Sequence, residues 1–232
     1  MSDKENPSDK ITIVVGYDQV ESIAYHVFCQ SVLEKASIPV SFVPLTRNSI
    51  RNYCEDHTDG SNQFTYTRFL TPYLLNYQGW AIYADSDMVC MEDIAELWKL
   101  RDSTKAIQVV KHDYKTKFNS KYLSKKNENY PRKNWSSLIL WNCEHIANRI
   151  ITPLFVENKS GAYLHQFKWI HDSYIGELPP EWNWLAIEYQ PNYSASLIHY
   201  TLGLPCFDEY RESEMSDVWN AVYKRTIKGG DD

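Results

Sequence analysis

The sequence predicts an α/β fold on one mainly parallel sheet, and three observations carry that prediction. A β-branched run, residues 11–15, is followed by a stretch with helical periodicity and then by a second extended run, residues 39–45. Short, mostly apolar runs recur at residues 80–84, 106–110, 137–141 and 196–200, the pattern of strands buried on both faces. No internal repeat or interdomain linker is visible.

In chain order, residues 1–10 are polar and read as a disordered tail, and residues 11–228 read as the single domain. Ile11 to Val15 is the first buried strand and Gly16-Tyr17-Asp18 its loop. Asp18 and Glu21 form a D-x-x-E helix start, after which Ile23, Ala24, Val27, Phe28 and Leu33 share a face. Pro39 to Leu45 is the second strand. A short helix is expected over Asn48 to His57 and a turn at Asp59-Gly60-Ser61-Asn62. Phe64 to Tyr77 is helical in pattern, with Pro72 marking a kink or a late start and Gly79 the end. Trp80 to Ala84 is a central strand running straight into Asp85-Ser86-Asp87. Asp93 opens a helix through Leu100. Two further strands, residues 106–110 and 137–141, flank a Lys- and Asn-rich connection, Asp113 to Asn134, expected as a surface excursion. A late strand follows at residues 196–200, and Met215, Val218, Trp219 and Val222 give the last helix one apolar face.

Composition narrows the function. The 232 residues are 43% hydrophobic and 23% charged, enough apolar surface for a packed core. Lys and Arg number 24 against 30 Asp and Glu, a net charge of −6 with no basic stripe, which weighs against nucleic-acid binding. A single nucleotide remains open, because a divalent metal can supply the positive charge. No apolar run approaches the ~18–20 residues of a membrane span, and no signal-peptide core precedes the first strand. The five cysteines are scattered without a C-x-x-C pair. Together these features lead us to expect a soluble, cytoplasmic protein.

The sharpest motif is the strand end Trp80-Ala-Ile-Tyr-Ala-Asp85-Ser86-Asp87. At the carboxyl end of a parallel strand, side chains emerge into the crevice where open α/β sheets bind ligands. Two carboxylates at i, i+2 repel unless a cation joins them, and their hard oxygens favour Mg²⁺ or Mn²⁺. Taken alone, the pair also fits a turn in which one acid caps the helix starting near Asp93. Two other segments favour the metal. Phe64-Thr-Tyr66-Thr-Arg68 lies upstream, and Leu197-Ile-His199-Tyr200-Thr201-Leu202-Gly203 ends the late strand.

This set resembles the metal-dependent glycosyltransferases of the GT-A fold, especially family 8 and its bacterial and viral relatives. The resemblance implies that Asp85, Asp87 and His199 bind Mn²⁺ or Mg²⁺. It places Arg68, Ser86 and Gly203 beside the donor sugar and phosphates, and Gly16, Tyr17 and Asp18 at the nucleotide. Residues 133–142 resemble the strand closing the donor-sugar pocket, and residues 164–183 an acceptor-side stretch containing His171 and Asp172. One departure stands out. Family members usually carry a Lys a few residues after the Gly that follows the His, but here the stretch is Gly203-Leu-Pro-Cys-Phe207, without a Lys.

The implied activity is transfer of a sugar from a nucleoside diphosphate sugar, UDP by default, to a hydroxyl of a glycan, lipid-linked or protein-linked acceptor. The metal would stabilise the departing diphosphate. Inversion would require a general base, for which Asp172 is the candidate. Retention would need front-face attack or a transient nucleophile, with Asp172 or His171 nearest, and the resemblance favours retention. Two rival readings are a non-catalytic nucleotide-sugar or glycan-binding domain and a haloacid-dehalogenase-type phosphatase. The second places its acidic motif on the first strand, whereas a strand–helix–strand unit precedes the motif here.

Overall fold

The computed structural model describes residues 10–54, 57, 60 and 62–228. Residues 1–9 of the tail expected over residues 1–10 lie outside them, as do Asp59 and Ser61 of the expected turn. The strands are β1 (Ile11–Gly16), β2 (Val40–Leu45), β3 (Trp80–Ala84), β4 (Met88–Cys90), β5 (Ile107–Val109), β6 (Ser120–Lys121), β7 (Lys125–Lys126), β8 (Leu138–Asn142), β9 (Ile175–Glu177), β10 (Trp184–Leu185) and β11 (Leu197–His199). The helices are α1 (Ser22–Leu33), α2 (Thr71–Leu74), α3 (Ile94–Lys99), α4 (Pro153–Glu157), α5 (Gly161–His165) and α6 (Ser216–Lys228).

The main sheet has the order β2-β1-β3-β8-β5-β9, and only β8 runs against its neighbours. The mainly parallel sheet is therefore present. Alternation along each strand divides the core between its two faces. Val14, Tyr83 and Ile139 meet Phe69, Leu164 and Phe167 on one side. Ile13, Ile82 and Leu140 meet Phe28 and Val32 of α1 and Leu97 of α3 on the other. A third cluster joins Ala24 and Val27 of α1 to Ile198 of β11 and to Trp219 and Val222 of α6. Arg225 ties α6 back to α1 through a two-pronged pair with Glu34, at 2.8 and 2.7 Å.

Several elements differ from the expectation for local reasons. In α1 the buried face is Ala24, Val27, Phe28, Ser31 and Val32, while Leu33 is 55% exposed. Helical spacing from Ala24 leads to Ser31, whose hydroxyl donates to the Phe28 carbonyl and accepts from the Cys90 amide. The stretch 64–77 is not one helix. A 3₁₀ turn, Thr67–Leu70, leads into the single turn of α2, where Pro72 sits in the first turn because it has no amide to donate. Asn76, Tyr77 and Gly79 then adopt positive φ and end it. The helix expected over residues 48–57 is a 3₁₀ turn at Arg47–Ser49, and residues 55 and 56 lie outside the described part. The Asp113–Asn134 connection folds into the β6–β7 hairpin and turns inward.

Candidate active site

The chain changes sheets at the acidic motif. Asp85 continues from β3, with its amide donating to the Ser137 carbonyl beside β8. Ser86 is fully buried at the step, and β4 then pairs antiparallel with β11 in the small sheet β10-β11-β4. The pairing sets Met88 opposite His199, and the Tyr200 amide donates to the Asp87 carbonyl at 2.9 Å. The three metal-binding candidates therefore meet at the seam of two sheets. One ligand atom from each of Asp85, Asp87 and His199 lies within 4.8 Å of the others.

Arg68 and Tyr83 hold Asp85. Arg68 Nη1 stands 3.0 and 3.1 Å from its two oxygens and also donates to the Ser136 carbonyl, while Nε donates to the carbonyls of Phe64 and Thr65. The Tyr83 hydroxyl donates to Asp85 Oδ1 at 2.7 Å. Burial pushes the Asp85 carboxyl above its ordinary range; Arg68 opposes that shift and Asp87 adds to it. Arg68 thus pairs with Asp85, and no guanidinium pairs with Asp87 among the described residues.

His199 is oriented by a hydrogen-bond chain whose directions are fixed. The Ser137 hydroxyl donates to the Asn134 carbonyl, so it accepts from Asn183 Nδ2 at 2.9 Å. The Asn183 carbonyl oxygen therefore faces His199 Nδ1, 2.9 Å away, and the ring proton sits on Nδ1. In the neutral ring, Nε2 then presents its lone pair towards Asp87 Oδ1 at 3.2 Å. That carboxylate oxygen is buried and has no hydrogen-bond partner among the described residues. Such a pair is satisfied by a cation between them, a proton on Nε2 or a metal ion. Two carboxylate oxygens and one imidazole nitrogen suit a divalent ion such as Mn²⁺.

Asp85, Asp87, His199 and Arg68 line one cavity of about 380 Å³. The connection expected as a surface excursion also lines it, through Lys121, Tyr122, Tyr130 and Lys133. Its floor includes Ser136 and His165, whose Nδ1 lies 2.7 Å from the Ser136 hydroxyl. Burial pushes the His165 ring down to about 3, so it is neutral near neutral pH.

Other expected site residues are placed elsewhere and do not line this cavity. Asp172 is 75% exposed and spent on Arg132, 2.7 Å away, and His171 Nδ1 is engaged with Ser173. The pair therefore braces the foot of the excursion from outside. Both oxygens of Asp18 are used, on the amides of Val20 and Gln63, so it joins the first loop to the segment before Arg68. Tyr17 packs edge-on against Tyr25. Gly16 is pressed against Phe64 and the Tyr83 hydroxyl, where a Cβ would come within 2.5 Å. Gly203 is covered by the ring of Tyr210, and Ser86 is enclosed at the sheet step.

Asn183 and the lysines of the excursion are participants that the sequence reading missed. Asn183 had a signal, since it lies in the Pro180-Glu-Trp182-Asn183 stretch, and its side chain backs His199. The excursion's signal was its density of lysines opposite an acidic motif.

The profile of the glycosyl transferase family 8 matches residues 4–203. Protein CDI of Arabidopsis thaliana is 40% identical over 216 residues, covering 89% of this chain and 83% of that protein. Among solved structures, the bifunctional glycosyltransferase WbbM in its apo form has a TM-score of 0.66 at 15% identity, over 95% of this chain and 50% of its own. Apo GlyE of Streptococcus pneumoniae TIGR4 follows at 0.61 and 14% identity, over 93% of this chain and 60% of its own. The galactosyltransferase LgtC, solved with donor and acceptor sugar analogues, has a TM-score of 0.62 at 10% identity, covering 95% and 98%. The chain thus spans about half of WbbM and nearly all of LgtC. At these identities the structural likeness speaks for the fold.

Proposed function

From the premise that this chain belongs to glycosyl transferase family 8, with the GT-A fold of its structural neighbours, we propose that it transfers a sugar from a UDP-sugar to a hydroxyl acceptor with retention, aided by Mn²⁺ or Mg²⁺. The observation that carries the metal is the approach of His199 Nε2 to the unpartnered Asp87 Oδ1. Asp85, Asp87 and His199 would hold the ion. When bound it would act as a Lewis acid towards the departing diphosphate. Arg68 favours the charged form of Asp85 against the effect of burial and holds it at the seam, and Asn183 keeps the lone pair of His199 on Nε2.

The make-up of the cavity wall supports retention. Its carboxylates among the described residues are Asp85, Asp87 and Glu128. The first two face the seam, and Glu128 pairs with Lys126. None stands free as a general base, which favours front-face attack with the acceptor proton passing to the leaving diphosphate. The neutral His165 beside Ser136 suits an acceptor hydroxyl better than the exposed Asp172 does.

A thermal-shift panel of nucleotide-sugars, with and without Mn²⁺, tests the reading, because a ligand bound only by the folded state raises the melting temperature. The largest rise is expected for a UDP-sugar with Mn²⁺, accompanied by UDP release on turnover. No rise with any nucleotide-sugar would overturn it.

A further inference from the structure

The loop after His199 has no lysine, and aromatic rings pack against it. The Tyr210 ring covers Gly203. Phe207 stacks on Tyr122 of the excursion, with centroids 5.4 Å apart and planes 11° from parallel. The Tyr122 amide donates to the Leu202 carbonyl at 2.8 Å. The β6–β7 hairpin is thus docked on the loop that follows the metal-binding histidine. The residue immediately before Tyr122 is Lys121, which lines the cavity with Asp85, Asp87 and His199.

Lys121 differs from the other lysines of that wall. Lys133 donates to Asn127 Oδ1 at 2.6 Å and to the Glu128 carbonyl at 2.7 Å. Lys126 is paired with Glu128. The Lys121 ammonium makes no hydrogen bond or close ion pair with any described side chain, although it is half-buried. Burial lowers its pKa, while the charges of Asp87 and Asp85 oppose that shift. A half-enclosed ammonium without a hydrogen-bond partner, lining the same cavity as two acids and a histidine that suit a divalent cation, fits an anion bridging the two.

We propose that Lys121, delivered by the β6–β7 hairpin, binds the donor diphosphate in place of the lysine missing after Gly203. This rests on the nucleotide-sugar reading above. The diphosphate is favoured over a single phosphate because the ammonium comes from the hairpin and the metal candidates from the sheet seam, two separate elements lining one cavity. A two-phosphate group can reach both.

The test is the equilibrium affinity for UDP and for UMP at saturating Mn²⁺, measured for the wild type, Lys121→Gln, Lys121→Arg and Lys117→Gln. Lys117 is exposed on the same excursion and does not line the cavity. Lys121→Gln is expected to weaken UDP by roughly tenfold or more while changing UMP by less than about threefold. Lys121→Arg should recover most of the loss, and Lys117→Gln should match the wild type. The UDP-to-UMP ratio within one variant is insensitive to the fraction of protein folded, so a stability defect cannot imitate the result. Equal losses for UDP and UMP, or no loss for either, would overturn the role of Lys121 and leave the donor reading standing. A wild type that binds no UDP would overturn both.

Discussion

The two walls of the cavity are built differently. The sheet wall is acidic and enclosed, and all but Asp87 is bonded: Asp85 has Tyr83 and Arg68 within 3.1 Å, and the Asn134–Ser137–Asn183–His199 chain has no free choice of donor, while Asp87 Oδ1 has no hydrogen-bond partner among the described residues. The excursion wall is basic. Its hairpin has two residues in each strand, and it is fastened by the Tyr122 amide, the Tyr122–Phe207 stack and the Arg132–Asp172 pair. The contrast shows where geometry is needed and where charge suffices. If the Asp85–Asp87–His199 group holds the proposed metal, it needs closely fixed orientation, and its supports are buried. An anion answers to charge, which a lightly fastened hairpin can deliver.

Breaking the sheet wall should have the largest effects, and its two acids should fail differently. Asp87→Ala is expected to lower turnover by about 10²–10³ while the fold survives, because no other side chain donates to Asp87 Oδ1 among the described residues. Asp85→Ala should lose activity and also about 3–5 kcal/mol of stability, since it strands the buried Arg68 charge. Denaturation midpoints measured beside UDP release separate the two. Equal stability losses would mean that the acids share one role. Next in size, Arg68→Lys should cost about 1–3 kcal/mol in kcat/KM, because a single ammonium cannot serve Asp85 and the Phe64, Thr65 and Ser136 carbonyls at once. Full activity in this variant would reduce Arg68 to a packing residue.

Asn183→Ala sharpens the comparison further, since it removes a support without touching a ligand. Mn²⁺ affinity is expected to fall about 10–100-fold, read by metal titration in the presence of UDP. Unchanged metal affinity would mean that the ring of His199 is held by packing alone.

The smallest effect concerns acid. His165 on the sheet side and His112 at the root of the excursion are both pushed by burial from 6.5 to about 3. Both are neutral in the fold and readily protonated in the unfolded chain. Their contribution to stability is present above pH 6.5 and is lost progressively as pH falls towards 3. Urea midpoints between pH 7 and pH 4 should decline, and His165→Gln should flatten that decline.

The same contrast explains what could be read from the sequence. Trp80 to Asp87 and Leu197 to His199 were legible because strand pattern and chemistry coincide over a few residues, and the metal candidates do converge. Arg68 was placed correctly near Asp85, although it sits on a 3₁₀ turn and not on a continuous helix. Gly203 and Asp18 were assigned to the donor, but their surroundings are fixed by Tyr210 and Gln63, partners that no local spacing announces. Asp172 looked like an acceptor-side base until its partner Arg132, 40 residues earlier, turned it outwards. The inward fold of the excursion depends on one backbone bond to Leu202 and one ring stack, both long-range.

The most direct measurement of the central claim is the affinity for UDP by titration calorimetry, first with Mn²⁺ and then in excess chelator. The account predicts that chelation weakens binding at least about tenfold, that Mn²⁺ restores it, and that the Asp87→Ala protein responds to neither. Unchanged UDP affinity in chelator would contradict a metal held by Asp85, Asp87 and His199.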